Sequence, residues 1–131
     1  MPVVTSLYAG LLGLLLIALT ANVIRLRQST HIGLNHGGNE VLEKAVRAHA
    51  NFTEYLPLAL LLMALNEFNG LAGIWLHVSG ALLIAARLLH WQGLSRSSGV
   101  SFGRFTGATA TFLVIIAHAL LAIWTFVSAT G

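Results

Sequence analysis

Glu43-Lys44-Ala45-Val46-Arg47-Ala48-His49-Ala50-Asn51-Phe52-Thr53-Glu54-Tyr55-Leu56-Pro57 gathers much of the chain's polar chemistry at the entrance of an otherwise apolar helix. Wound as an α-helix, Glu43, Arg47, Asn51, Glu54 and Tyr55 follow one another at i, i+4, i+8, i+11 and i+12, which sets all five on one face. Ala45, Val46, Ala48, Ala50 and Phe52 between them are small or apolar and suit a contact with lipid or a neighbouring helix. A charge at the bilayer centre costs roughly 2.5–3.5 kcal/mol even on the mildest scale, so a face carrying Arg and Glu at a membrane helix is read as a site.

Composition supplies the membrane. The chain has 131 residues, enough for one domain, and is 56% hydrophobic with only 8% charged residues, against about 25% charged in soluble domains. A soluble fold of this size cannot hide so much apolar surface. The net charge of +3 rests on seven Lys and Arg, distributed by topology rather than clustered as a nucleic-acid patch, so no nucleic-acid partner is expected. Cysteine is absent, which excludes disulfides, thiolate nucleophiles and Cys-based metal sites within the chain. Thiol chemistry here requires a ligand that brings the sulfur.

Four membrane spans are expected along the chain, over about residues 4–27, 39–68, 71–91 and 104–128 of a single domain covering residues 1–131. Residues 7–24 are nearly pure Leu, Ala, Ile and Gly, long enough to cross about 30 Å of hydrocarbon. A cleaved signal peptide wants positive residues before its apolar run, and none precedes this one. Gly10 and Gly13 give the first span a small patch for close packing. Arg25 and Arg27 are expected to end it, with residues 28–38 as a loop. Asn39 suits an N-cap and Glu40 the first turn of the second span. That span is roughly 45 Å long at 1.5 Å per residue, so its first turns stand in the headgroup region and its apolar half, residues 56–65, in the lipid. Pro57 removes a hydrogen bond to Thr53 and is expected to bend the helix below Glu54. The third span carries Gly73, Ser79, Gly80 and Ala81 as small interface residues and the fourth begins with a Gly103/Gly107 pair at GxxxG spacing.

The basic residues orient the bundle. Arg25, Arg27, Lys44 and Arg47 flank the first loop and Arg87, Arg96 and Arg104 the third, while the termini and the second loop have none. The positive-inside rule then places loops 1 and 3 in the cytoplasm and both termini outside.

The segment running from Arg47 to Pro57 resembles the signature of the membrane-associated proteins in eicosanoid and glutathione metabolism (MAPEG), which include microsomal glutathione transferases, the leukotriene-forming synthase, a prostaglandin E synthase and the lipoxygenase-activating protein. The chain is most similar to the short bacterial branch. The resemblance implies an all-α fold, a homotrimer of antiparallel four-transmembrane-helix bundles in a bacterial inner membrane, with glutathione bound between subunits near the cytoplasmic face. It implies glutathione-binding roles for Arg47, Asn51, Glu54 and Tyr55, with His49 where some members carry Gln or His. Arg27 or its neighbour Arg25 matches a basic residue at the end of the first helix, and Arg104 matches the arginine that holds the thiol as thiolate, the catalytic position. His90 and Leu94 stand where well-studied members carry tyrosines that touch glutathione.

The residues read by themselves suit the same ligand. Glutathione offers two carboxylates, an ammonium and a thiol. Arg47 supplies a bidentate fork for a carboxylate, Glu54 a partner for the ammonium, and Asn51 one for an amide. A cation beside the sulfur, Arg104 or Arg27, favours the nucleophilic thiolate. A lipophilic small-molecule acceptor reaches such a site from the membrane lipid, so the expected activity is a glutathione-dependent transferase or peroxidase.

Blander roles compete at each position. Arg47, Asn51 and Glu54 also suit a salt-bridge network joining subunits, and Glu43–Arg47 and Lys44–Glu40 suit solvated i,i+4 pairs. Arg87 fits a snorkelling anchor. His77 and His118 fit packing histidines, and His31 and His36 have no metal-ligand spacing. Trp75, Trp91 and Trp124 mark interfaces or packing, and Tyr55 serves equally as a belt residue. At the level of function, the alternative is a non-catalytic lipid-binding or scaffold protein of the same fold. A small drug exporter fits poorly, because its key carboxylate belongs in the first helix, which here is uncharged.

Overall fold

A computed structural model describes residues 1–96 and 102–130, apart from the side chains of residues 93–96 and 104. Four helices make up almost all of it: α1 (Val3–Thr30), α2 (Glu40–Phe68), α3 (Gly73–Arg96) and α4 (Phe102–Thr130). Three of them, α1, α3 and α4, are long and apolar enough to cross a membrane, whereas α2 is interrupted by its charged first half. Pairs such as Val4 with Glu67, Thr20 with His49 and Arg87 with Gly107 show successive helices running antiparallel. The chain is an integral membrane protein, an all-α bundle.

The helix order follows from α2. Ala45, Ala48, Phe52, Leu56, Ala59, Met63 and Asn66 are all buried and recur every three or four residues, one continuous stripe turned into the bundle. Phe52, Leu56, Ala59 and Met63 join Leu12 and Leu19 of α1, Leu76 and Leu83 of α3 and Val114 of α4 in the core. Helices α2 and α3 each pack on all the others, while α1 and α4 lie on opposite sides without touching. Leu7, Leu14 and Ile17 of α1 and Ile116, Leu120 and Ile123 of α4 point outward, as lipid-facing surfaces should.

Lipid tails are as apolar as leucine, so burial alone gives helices in a bilayer little reason to associate. Close approach has to come from small residues. Gly80 of α3 lies directly against the Tyr8 ring, which a Cβ there would penetrate, and Tyr8 reaches on to bond Nδ1 of His77 through its hydroxyl at 3.1 Å. Gly107 of α4 approaches α3 so nearly that a Cβ would stand 2.4 Å from the Ala86 carbonyl oxygen. A Cβ added at Gly10 or Gly13 would meet nothing within 4 Å outside its own helix; the patch expected for close packing is open on the outside of the bundle.

The first helix outruns its expected end by one turn. Residues 28–30 are helical rather than loop, held by Ser29 and Thr30 hydroxyls that donate back to the Leu26 carbonyl and closed by His31 in the left-handed conformation at φ 56°. Arg27 does not stop the helix but organises the loop beyond it: its Nη1 donates to the carbonyls of Ile32, Gly33 and Asn35. Asn39 caps α2 as expected, its side chain accepting from the Leu42 N–H at 3.0 Å. Helix α2 then continues through Pro57 to Phe68.

At the opposite end, Glu67 caps a helix other than its own. Its two carboxylate oxygens accept the N–H groups of Val4 and Thr5, each at 2.8 Å, taking up donors that the first turn of α1 leaves without intrahelical partners. Burial by itself would raise the carboxyl's pKa, but hydrogen bonds from Thr5 and Val4 and the nearby N-terminal charge outweigh it and hold it below the ordinary glutamate value. A carboxylate whose pKa is lower folded than unfolded stabilises above its unfolded value and loses that contribution as pH falls through the folded one. Glu67→Gln should therefore cost about 1 kcal/mol at neutral pH, the scale of a lost helix cap. Thermal melts in detergent should show the gap between wild type and Glu67→Gln closing as pH is lowered from about 6 to about 3; a gap that stays constant with pH would show that the carboxylate's charge plays no part.

Candidate functional site

The buried stripe of α2 decides where its polar residues stand. Because Ala45, Ala48 and Phe52 turn inward, Arg47 and Glu54 emerge on the outer surface, with Asn51 and Tyr55 half-buried at the edge facing α4. Arg47 and Glu54 lie two turns apart on one face, and among the described residues no ion pair joins them. Both charges are thus displayed, and neither is neutralised among the described residues. The Tyr55 ring packs edge-to-face on Phe112 of α4, with centroids 5.0 Å apart.

Beneath this face lies a cation that the sequence assigned elsewhere. Arg87 does not snorkel; it is 3% exposed and runs into the seam between α2, α3 and α4. Its Nη1 donates to Asn51 Oδ1 at 2.7 Å, and its Nη2 donates to the Gly107 carbonyl at 3.1 Å and to the Thr111 hydroxyl. Thr111 in turn donates to the Gly107 carbonyl. The reason is the close approach at Gly107, which brings that carbonyl within reach of α3. Nε has no partner, and among the described residues no carboxylate stands within ion-pair distance of the guanidinium. Among the described residues its partners are neutral dipoles. It also fixes the Asn51 amide: Oδ1 must face the guanidinium, so the NH2 group is the end left for a ligand. The missed signal was the coincidence of three polar residues, Asn51, Arg87 and Thr111, at one level of an antiparallel bundle.

Other predicted residues stand elsewhere. His49 is about 200° around the helix from Arg47 and faces α1, where its Nε2 bonds Thr20 Oγ1 at 3.1 Å. Since the Thr20 hydroxyl proton goes to the Leu16 carbonyl, His49 is the donor. Arg27 is occupied with its loop carbonyls. His90 is buried at the α3–α4 seam, beside Gly107. The side chains of Arg104, Leu94 and Arg96 lie outside the described residues. The chain therefore unites Arg47, Asn51, Glu54 and Tyr55, with Arg87 behind them, but turns His49 toward the α1 side and commits Arg27 to its own loop. On that other side Asn22, Arg25, Leu26, Val41, Lys44, Ala45 and Trp91 line a cavity of about 260 Å³, where Arg25 bonds Asn22 and Lys44 stands 4.0 Å from Glu40.

Residues 5–124 match the model of the MAPEG family. The chain belongs to that family. It is also 35% identical, over 121 residues, to the inner membrane protein YecN of Escherichia coli K12, an alignment that covers 92% of this chain and 91% of the relative. The YecN of Escherichia coli O6:H1 matches to the same extent. The MAPEG assignment spans all four helices, so the Arg47 face and the Arg87 seam both fall within the matched region.

Proposed function

We propose that this MAPEG protein binds glutathione on the Arg47, Asn51, Glu54 and Tyr55 face and directs its thiol at lipophilic electrophiles or hydroperoxides, as an inner-membrane transferase or peroxidase. The observation that carries this is a pair of opposite charges, Arg47 and Glu54, displayed without neutralising each other, above a buried guanidinium that no carboxylate compensates. Glutathione carries the complementary groups: a carboxylate for the Arg47 fork, an ammonium for Glu54, and a peptide carbonyl for the Asn51 NH2 that Arg87 holds in place. Bound as thiolate, it supplies the nucleophile. The protein's part is to favour the anion with nearby cations, Arg104 by its place in the family pattern and Arg87 from below.

Homotrimer assembly belongs to the same proposal. Arg27 and His49 reach a ligand on the Arg47 face only if a second copy supplies them, because in one subunit they face away. The outward glycines, Gly10 and Gly13, offer a second copy a surface for close backbone approach. The antiparallel packing also gathers the basic helix ends at one end of the bundle, which the positive-inside rule assigns to the cytoplasm, with both termini outside.

Calorimetry on the purified protein tests the central point. Glutathione is expected to bind, to generate thiolate absorbance, and to bind at least tenfold more weakly to Arg47→Ala, about 1.4 kcal/mol. The absence of heat at millimolar glutathione would sink the proposal. A non-catalytic lipid-binding role is the second reading, favoured by His90 at a position where family enzymes carry tyrosine. Conjugation of chlorodinitrobenzene that Arg104→Ala abolishes would exclude it.

A further inference from the structure

A second polar cluster lies toward the far end of the bundle, away from the basic helix ends. Asn66 of α2 is 1% exposed, and its Nδ2 donates to the His118 carbonyl at 2.8 Å while standing 3.0 Å from Nδ1 of the same histidine. A carbonyl only accepts, so the amide orientation is fixed. Nδ1 must then be an acceptor, and the proton of the neutral ring sits on Nε2. His118 Nε2 in turn meets Ser79 Oγ at 2.9 Å, so the serine oxygen accepts. The polarity of the chain, from Asn66 through His118 to Ser79, therefore runs one way. It ends in a hydroxyl proton that donates to no other group among the described residues. The same polarity rules out a hydrolase triad, in which the histidine would have to take a proton from the serine.

Ser79 and His118 open on a cavity of about 350 Å³ between α3 and α4, lined otherwise by Leu71, Trp75, Ala117 and Leu121. Among the described residues no charged side chain lines it. Leu71 and Leu121 are shared with a smaller cavity of about 150 Å³ lined by Asn66, whose Oδ1 is buried without a partner. Ser79 is eight residues from Arg87 on the same helix, about 12 Å along the axis, so the cavity is separate from the Arg47 face.

We infer that the α3–α4 cavity is a binding site for a neutral lipophile carrying one hydrogen-bond acceptor, such as a ketone or quinone carbonyl, which takes the Ser79 hydroxyl proton while its body packs on Trp75, Leu71 and Leu121. The volume falls in the range of small-molecule sites, and an apolar wall with one oriented donor is their usual make-up. A charged ligand finds no partner here, and a plain hydrocarbon leaves the donor unpaired. The inference is independent of glutathione binding.

The test is photolabelling of the full chain in lipid nanodiscs with benzophenone, with adducts mapped by mass spectrometry. Labelling is expected at Leu71, Trp75 or Leu121. Fluorenone should compete about tenfold better than fluorene, which has the same shape without the carbonyl, a difference the size of one hydrogen bond. Ser79→Ala should erase that preference and Ser79→Thr should keep it. Leu121→Trp, which fills the cavity while keeping Asn66, His118 and Ser79 themselves, should abolish labelling even if Ser79→Ala fails to fold. Equal competition by fluorene, a carbonyl preference that survives Ser79→Ala, or no adduct in the cavity (lipid or a second copy of the chain holding it) would each overturn the inference.

Discussion

Arg87→Met is expected to yield a bundle that melts no lower than the wild type and binds glutathione at least tenfold more weakly. Two effects separate cleanly at this residue. For the fold, a buried guanidinium without a carboxylate is expensive, and an apolar side chain of similar volume removes that desolvation cost. Little is orphaned by the exchange: Thr111 keeps its bond to the Gly107 carbonyl, Asn51 is half-exposed, and the unpartnered Nε disappears. For the ligand, the loss is large, because the Asn51 amide is no longer held and the positive charge beneath the Arg47 face is gone. Arg87→Lys should also bind poorly, since one ammonium cannot span Asn51, Gly107 and Thr111 as a guanidinium fork does. Melting in detergent and calorimetry on the same preparations read the two effects. A drop of several degrees in Arg87→Met would show a structural staple instead, and unchanged glutathione affinity would detach Arg87 from the site.

The sequence shows α2 most clearly because its two faces differ in chemistry: the small and apolar residues Ala45, Ala48, Phe52 and Leu56 turn inward and leave Arg47 and Glu54 outside. The spans of α1, α3 and α4 are legible for a related reason, since long uncharged runs have few alternatives to crossing a bilayer. What stayed hidden depends on partners distant in the chain. Arg87 at a helix end matches a snorkelling residue in every local respect; only the α4 backbone, brought near by Gly107, turns it inward. Glu67 stands in the last turn of α2, and nothing local indicates that Val4 and Thr5 stand above it. His77 and His118 do have the packing partners expected of them, Tyr8 for one and Asn66 with Ser79 for the other, but the direction of the hydrogen bonds through His118 is a property of three helices together. His49 marks the limit of periodicity most sharply. Its place two residues from Arg47 shows that the two face opposite ways, but the partner it finds, Thr20 on α1, is set by the packing of two helices.

Gly107→Ala should destabilise the fold by about 3 kcal/mol, at the upper end of overpacking costs. The added carbon would stand 2.4 Å from the Ala86 carbonyl oxygen and 2.9 Å from His90 Cβ. The first of these is backbone, which no rotamer change can move aside, so α4 has to retreat from α3 as a whole. Retreat stretches the bonds from Arg87 to the Gly107 carbonyl and the Thr111 hydroxyl, leaving a buried cation short of the dipoles that solvate it. Phe112, which is also on α4, shifts against Tyr55 of α2, so the Arg47 face is damaged together with the fold. Gly13→Ala is the informative control. A Cβ added there would meet nothing within 4 Å outside its own helix, and alanine is the better helix former by about 1 kcal/mol, so the fold should be unharmed or stabilised. If Gly13 lies in the contact between copies, its variant should instead shift the oligomer on size-exclusion chromatography while secondary structure stays intact. A Gly107→Ala protein that melts with the wild type would show that α3 and α4 do not approach this closely, and the inward course of Arg87 would lose its cause.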